Sequence, residues 1–315
     1  MATTDCSESE PGAGHENPSR PVVGPLAGPG SASMDDLRRR LDDVPRPGAS
    51  SPSPFRLAGS KKGPLAVRVP GVARDIRIKI ASERDEWREA FQLVSSNYQA
   101  RGYEEPFASK VRFTPYHALP DLVTLVAKLE GRVLATFSLV PDNTLLGLPL
   151  EGIYSEEIRG LRRERRRLVE VTSFAADKDL RLREFRPVFI CLIRFLVQYH
   201  LSQGGDTWVL TVNPRHRDFY IKALGSAPLG PPRTYSSVQN HPAEGYWFDM
   251  DLMRRSAPDM ADELLSDPLP GEALVAPKML SHLIRYLGDR STRDARDVIR
   301  DVIPTDEFFG SPRRW

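Results

Sequence analysis

Apolar and polar residues first fall into a regular order near residue 74. D-I-R-I-K-I (75–80) alternates polar and apolar positions, the period-two pattern of a half-buried strand. Ser82 is then placed to cap a helix through E-R-D-E-W-R-E-A-F-Q-L-V-S-S-N-Y, where Trp87, Ala90, Phe91, Val94 and Tyr98 recur at helical spacing. L-V-T-L-V-A-K-L, a tight E-G-R turn and V-L-A-T-F-S-L-V predict a hairpin. A long connection with a short helix at Y-S-E-E-I-R-G-L leads to R-L-V-E-V-T-S-F-A-A-D (167–177), a third core strand. Pro187 to Ser202 reads as a heavily covered helix, apolar on most faces. T-W-V-L-T-V is a strand, and N-P-R-H-R-D-F-Y-I-K-A-L-G a helix with Asn213 as N-cap, Pro214 as first residue and Gly225 as stop. Y-W-F-D-M-D-L closes the series as a strand.

The order strand, helix, hairpin, strand, long helix, strand, helix, strand predicts one mixed α/β layer with helices on its faces. This unit spans residues 73–255. Residues 1–72 hold 11 of the 28 prolines, with Gly and Ser throughout. Such a segment buries too little apolar surface to offset chain entropy, and is expected to be a disordered tail. Within it M-D-D-L-R-R-R-L-D-D-V has the pattern of two or three helical turns that need a partner. Residues 256–315 form a C-terminal helical tail. P-K-M-L-S-H-L-I-R-Y-L puts Met279, Leu280, Leu283, Ile284 and Leu287 on one face, and the charge-alternating R-D-A-R-D-V-I-R-D-V-I follows. Packing on the core, covering a pocket and dimerisation are all open to it.

Composition narrows the classes. Of 315 residues, 44 are Lys or Arg and 42 Asp or Glu, so a formal charge of +2 gives no global pull toward nucleic acid. The two cysteines, Cys6 and Cys191, make neither a disulfide framework nor a zinc site. The first residues lack the basic and apolar regions of a secretory signal. The most apolar run, 188–197, is interrupted by Arg194 and falls well short of the roughly 20 residues a bilayer span needs. A cytoplasmic protein is expected.

One residue breaks the pattern. Glu170 stands inside the strand at 167–177, and an isolated buried carboxylate is costly unless it is paired, turned outward or employed in chemistry. The arginines of R-G-L-R-R-E-R-R-R (159–167), just upstream, are available to pair with it.

Four stretches resemble the N-acyl amino acid synthases and their relatives, the acyl-homoserine lactone synthases: R-F-T-P-Y-H-A-L-P (112–120), L-A-T-F-S-L-V-P-D with G-L-P-L-E (134–151), L-V-E-V-T-S-F-A-A-D (168–177) and N-P-R-H-R-D-F-Y (213–220). The resemblance covers residues 74 to 252 and neither tail. It implies an N-acetyltransferase-like (GNAT-like) fold and transfer of a fatty acyl group from the thioester of an acyl carrier protein to the amine of an amino acid. Glu170 matches the glutamate of an E-x-[S/T]-R-F pattern and would accept the amine proton, with a pKa raised by desolvation. Ser173 departs from that pattern: the arginine is missing, which argues against a lactone synthase. Thr172, Phe174 and Ala175 would line the substrate, with backbone N–H groups near Phe174 and Ala175 as oxyanion donors. Asn213 and Tyr220 keep the spacing that flanks the thioester in such folds, with Tyr220 as acid to the leaving sulfur. As plain structure they read as an N-cap and a core aromatic. His216, at i, i+4 from Tyr220, is a second acid/base candidate or a surface histidine. His117 falls where the lactone synthases carry an acidic substrate-handling residue; it would bind the amino-acid carboxylate, or is a loop histidine with no role.

After the key strand, D-K-D-L-R-L-R-E-F-R-P has no glycine, so a close cradle for the coenzyme A pyrophosphate is not expected. Arg181, Arg183 and Arg186, and in the upstream run Arg165 and Arg166, suit a phosphopantetheine phosphate or an acidic carrier surface. The bland alternative is solvated basic loops. Nucleic acid is not favoured, because no aromatics interleave these arginines. No metal or other bound cofactor is implied, the donor being an acyl-carrier or CoA thioester as co-substrate. Two rival functions remain, a CoA-dependent N-acetyltransferase of a small amine or protein, and a non-catalytic acyl-binding module on the same fold.

Overall fold

The computed structural model describes residues 63–106, 110–279 and 281–288. The proline-rich segment to residue 62 with its expected helical turns, and the expected charge-alternating helix after residue 290, lie outside the described residues.

Nine strands form one mixed sheet: β1 (Val67–Arg68), β2 (Arg77–Ile80), β3 (Val123–Leu129), β4 (Arg132–Pro141), β5 (Leu168–Ala176), β6 (Thr207–Val212), β7 (Ala227–Pro228), β8 (Arg233–Tyr235) and β9 (His241–Asp249). The path runs β1-β2-β3-β4-β5-β6-β9-β7, with β8 on β9. All neighbours are antiparallel except β5 and β6. Order therefore begins earlier than residue 73. Val69 is fully buried and Val67 pairs with Ile78.

The helices are α1 (Arg84–Gln99), α2 (Glu151–Arg163), α3 (Leu182–Ser202), α4 (Arg217–Leu224), α5 (Met250–Ser256), α6 (Pro258–Leu265) and α7 (Ser281–Gly288). One face of the sheet packs Val169, Val171, Trp208, Leu210 and Tyr246 against α3, α5 and α6. The other face carries two apolar clusters. Val126 and Val133 pack under α1 and α7, while Val140, Leu168 and Val209 pack under α2. Thus residues 257–273 join the main core, and Met279, Leu283, Ile284 and Leu287 cover α1, which resolves the fate of that apolar helical face.

Several ends differ from the sequence pattern. The α1 cap is Glu83 rather than Ser82, because the Glu86 carboxylate turns back to accept from the backbone N–H groups of Ser82 (2.9 Å) and Glu83 (3.3 Å). α3 starts five residues before Pro187, which removes one early hydrogen bond in an exposed turn. The D-M-D-L run ends β9 and opens α5, since Asp249 Oδ1 caps Leu252 N at 2.6 Å. Asn213 is a true cap, its Oδ1 accepting from Arg215 N at 3.2 Å, and Gly225 ends α4 in the left-handed region at φ +62°.

Candidate active site

The site follows from where β5 and β6 part. They pair from Leu168 and Thr207 only as far as Val171 and Leu210. Beyond that point β5 keeps its partner β4 but has none on the β6 side. Within this stretch Ser173 adopts φ +57°, and two residues, Ser173 and Phe174, stand opposite Phe137 alone. This is a bulge, and it bends β5 away from β6 while freeing backbone groups from the ladder. A non-glycine residue in the left-handed region is uncommon and concentrates at functional sites.

A cleft of about 530 Å³ enters through this opening and is lined from both faces of the sheet. On the α3 face its wall is apolar, with Val171, Leu210, Phe137, Phe174 and Phe185. Phe137 stacks on Phe174 with centroids 4.5 Å apart, and Phe189 of α3 lies 5.2 Å behind. On the α2 face the wall is polar, with Thr172, Tyr116, His117 and Tyr235. The rim is cationic. Arg101 donates to Asn97, Arg112 pairs with Glu104 at 2.7 Å and lies over the Tyr98 ring, and Arg215 donates to His216 Nε2 at 3.0 Å.

Glu170 stands behind the polar wall rather than in it. The residue is 1% exposed, and Oε2 accepts from Leu150 N at 2.8 Å. None of the arginines at 159–167 reaches it, so the paired reading is excluded among the described residues. Burial pushes its pKa up to about 8, against the opposing effect of the Leu150 hydrogen bond. Tyr116 and Tyr235, which line the cleft, sit within its field: burial first, and the Glu170 charge second, raises both phenols.

His117 is 2% exposed, between the rings of Phe91 (4.5 Å) and Phe113 (5.6 Å). Its Nδ1 accepts from Thr114 N at 2.9 Å, which places the ring proton on Nε2. That Nε2 is buried without a partner among the described residues. Burial, then Arg112, lowers the pKa to about 3, so the ring is neutral.

Thr172, Phe174, Ala175, Asn213, His216 and Tyr220 all line the cleft. The Asn213 amide donates to Tyr103 Oη at 3.1 Å. Tyr220 packs its ring 6.1 Å from Tyr246, and burial pushes its phenol up to about 12. The expected i, i+4 pairing of His216 with Tyr220 is corrected: Pro214–His216 form a 3₁₀ turn, α4 starts only at Arg217, and His216 is an exposed rim residue with Nε2 engaged by Arg215.

The basic segments divide. Arg181 and Arg183 are exposed at the start of α3, close to the cleft wall at Phe185, and Arg186 pairs with Glu263 at 3.4 Å. Arg165 and Arg166 are misplaced by the sequence reading. They precede the first residue of β5, whereas the cleft opens near its last, roughly 25 Å away at about 3.3 Å per residue. Arg166 is spent on Asp249 at 2.7 Å. Missed altogether were Tyr116, Tyr235, Arg112, Phe137 and Phe185. Arg112 and Tyr116 lie in the R-F-T-P-Y-H-A-L-P stretch and Phe137 in L-A-T-F-S-L-V-P-D, so these three had a local signal; Tyr235 lay outside every quoted stretch.

The model of the family described as N-acyl amino acid synthase FeeM matches residues 89–249, just over half of the 315 residues and the whole of the cleft-bearing sheet from β3 to β9. The chain belongs to this family. Among solved structures, FeeM, an N-acyl amino acid synthase from uncultured soil microbes, is 25% identical with a TM-score of 0.52, over 59% of this chain and 96% of that one. The acyl-homoserine lactone synthase LasI is 16% identical with a TM-score of 0.46, over 66% of this chain and 98% of that one. Agmatine N-acetyltransferase is 16% identical with a TM-score of 0.40, over 56% and 100%. No curated protein matches significantly in sequence. The family member described here is thus an acyltransferase, an N-acyltransferase of the FeeM type. No described helix is long and apolar enough to cross a membrane.

Proposed function

We propose that the enzyme moves a fatty acyl group from the phosphopantetheine thioester of an acyl carrier protein to the α-amine of an amino acid. The observation that carries this reading is the two-sided cleft at the β5–β6 opening. An aromatic, apolar wall suits a long acyl chain, and a polar wall backed by one buried carboxyl suits an amine.

In this reading the thioester carbonyl lies at the bulge, where N–H groups near Phe174 and Ala175 receive the oxyanion. The amine is an ammonium ion in water and must lose a proton to attack. Glu170 does not line the cleft, so the amine proton passes to its carboxylate through a bridging water beside Tyr116, whose phenol lies within the field of Glu170. Nitrogen then bonds to the carbonyl carbon. On collapse the C–S bond breaks, Tyr220 protonates the departing sulfur, and the remaining excess proton on nitrogen restores Tyr220. The unpartnered His117 Nε2–H, with Arg112 nearby on the wall, receives the amino-acid carboxylate.

The loop at 177–181 supports a carrier donor over coenzyme A. Asp177 and Asp179 flank it, paired with Arg132 at 3.0 and 2.8 Å. Glu184 accepts from Arg181 N at 3.2 Å and from Arg74 Nε at 2.9 Å, filling the N-terminal turn of α3 with a carboxylate. Backbone N–H groups that acetyltransferase-type folds leave open to a diphosphate are here taken by the chain's own carboxylates, Asp179 N by Asp177 Oδ1 at 2.8 Å and Arg181 N by Glu184.

The test is product analysis by mass spectrometry, with purified full chain, a long-chain acyl thioester of a bacterial acyl carrier protein, and the twenty amino acids. N-acyl amino acids are expected. Turnover with acetyl-CoA and simple amines alone would select the acetyltransferase reading, and absence of turnover with either donor would favour the binding module.

A further inference from the structure

We propose that the first turn of α3 is the surface on which the acyl carrier protein docks, with Leu182 as its apolar anchor; this rests on the carrier-donor reading above. Leu182 is 92% exposed, the most exposed large apolar residue among those described. Phe185, three residues on and therefore on the same helical face, is 38% exposed and lines the cleft. Phe219 of α4, also 38% exposed, leans on the same Phe189 ring that Phe185 contacts, at 5.3 and 5.8 Å. The three side chains make an apolar strip that runs from the outer surface into the apolar wall of the cleft. A lone exposed leucine needs no explanation, but a strip that leads into the acyl-binding wall does.

Charge decides the kind of partner. Arg181 and Arg183 flank Leu182 and are exposed, with no ion pair among the described residues. The carboxylates nearby are already engaged: Glu184 with Arg74, Asp179 with Arg132 and Asp218 with Lys222. The surface is therefore apolar at its centre and positive at its edge. It fits an acidic protein that presents a small apolar contact, and it sets that protein's thioester arm at the mouth of the cleft. An anionic membrane shares the charge preference. A strip of three side chains on one helical turn offers it little apolar area, and a bilayer does not deliver a thioester.

Binding is measured directly, apart from turnover. Fluorescently labelled holo acyl carrier protein is titrated with the full chain, its Leu182→Glu and Arg183→Glu variants, and Arg165→Glu as a distant control. The expected result is a roughly tenfold or greater loss of affinity for Leu182→Glu and a smaller, salt-dependent loss for Arg183→Glu, with Arg165→Glu unchanged. Leu182 is almost wholly exposed, so the fold survives the substitution, and circular dichroism checks that. Unchanged binding by Leu182→Glu, or no saturable binding by the wild type, overturns the proposal. So does capture by phosphatidylglycerol vesicles that Leu182→Glu abolishes while carrier binding persists. Turnover with an acyl-N-acetylcysteamine thioester, which has no carrier, separates the two claims: wild-type acyl transfer without carrier binding leaves the reaction standing and removes the docking surface.

Discussion

The Leu150 backbone N–H donates to Glu170 Oε2 at 2.8 Å, and this is the sole hydrogen bond to that carboxylate among the described residues. One neutral donor does not replace the water a buried carboxylate loses, so its pKa rises to about 8. A carboxyl held this way ionises only near neutral to alkaline pH, where an amine-activating base is useful.

That shift has a stability cost with a definite sign. The folded pKa lies above the ordinary value of 4.5, so the native state holds the proton more tightly than the unfolded chain does. Stability attached to this group is complete below about pH 4.5 and is lost as pH rises toward 8. Glu170→Gln keeps an acceptor for Leu150 and removes the charge. The variant is expected to match the wild type near pH 4.5 and exceed it by up to a few kcal/mol at pH 9, as read by denaturant titration.

His117 has a buried Nε2–H with no acceptor among the described residues, the group proposed to receive the amino-acid carboxylate. His117→Phe fills the same space between Phe91 and Phe113 without that donor. KM for the amino acid should rise roughly tenfold or more, with a smaller change in kcat. The corresponding amine without a carboxylate should show no such change in KM, and steady-state kinetics on the pair checks this.

Tyr220→Phe removes the proposed proton donor to sulfur and leaves the ring packed beside Tyr246. The rate with an alkyl thioester should fall by roughly 10²-fold, and far less with an aryl thioester whose thiolate leaves unaided. A uniform loss across leaving groups would assign Tyr220 to packing alone.

Gly245 tests the fold rather than the chemistry. A Cβ there would come within 2.8 Å of the Tyr154 ring, whose hydroxyl accepts from Gly245 N at 3.0 Å. Gly245→Ala should destabilise by about 1–3 kcal/mol, read as a lowered Tm.

The sheet was legible because apolar periodicity is a local signal. The runs at 123–129, 132–141, 168–176 and 207–212 all became strands, and the E-G turn became their hairpin, with Glu130 at φ 50° and Gly131 at φ 85°. Glu170 was legible as an anomaly, a charge in an apolar run. The two-sided cleft was not, because it depends on where β5 stops pairing with β6, and neither strand's own sequence records that. Tyr235 reaches the wall from β8, outside every motif, while Arg112 opens the R-F-T-P-Y-H-A-L-P stretch but was not singled out from it. Arg165 and Arg166 were misjudged because a charge run shows composition but not which end of a strand it occupies. His216 was misjudged because a 3₁₀ turn replaced the helical spacing assumed from the sequence.

The account turns on Glu170 receiving the amine proton, and a pH–rate profile tests that most directly. Single-turnover rates of acyl transfer would be followed from pH 6 to 10 for the wild type and Glu170→Gln, with saturating amino acid. The wild-type rate should fall as pH drops below about 8, following the carboxyl. The variant should be slower by roughly 10²–10⁴-fold and should lack that limb. A variant that keeps the wild-type rate, or the same break near pH 8, would contradict the assignment and return Glu170 to a structural role.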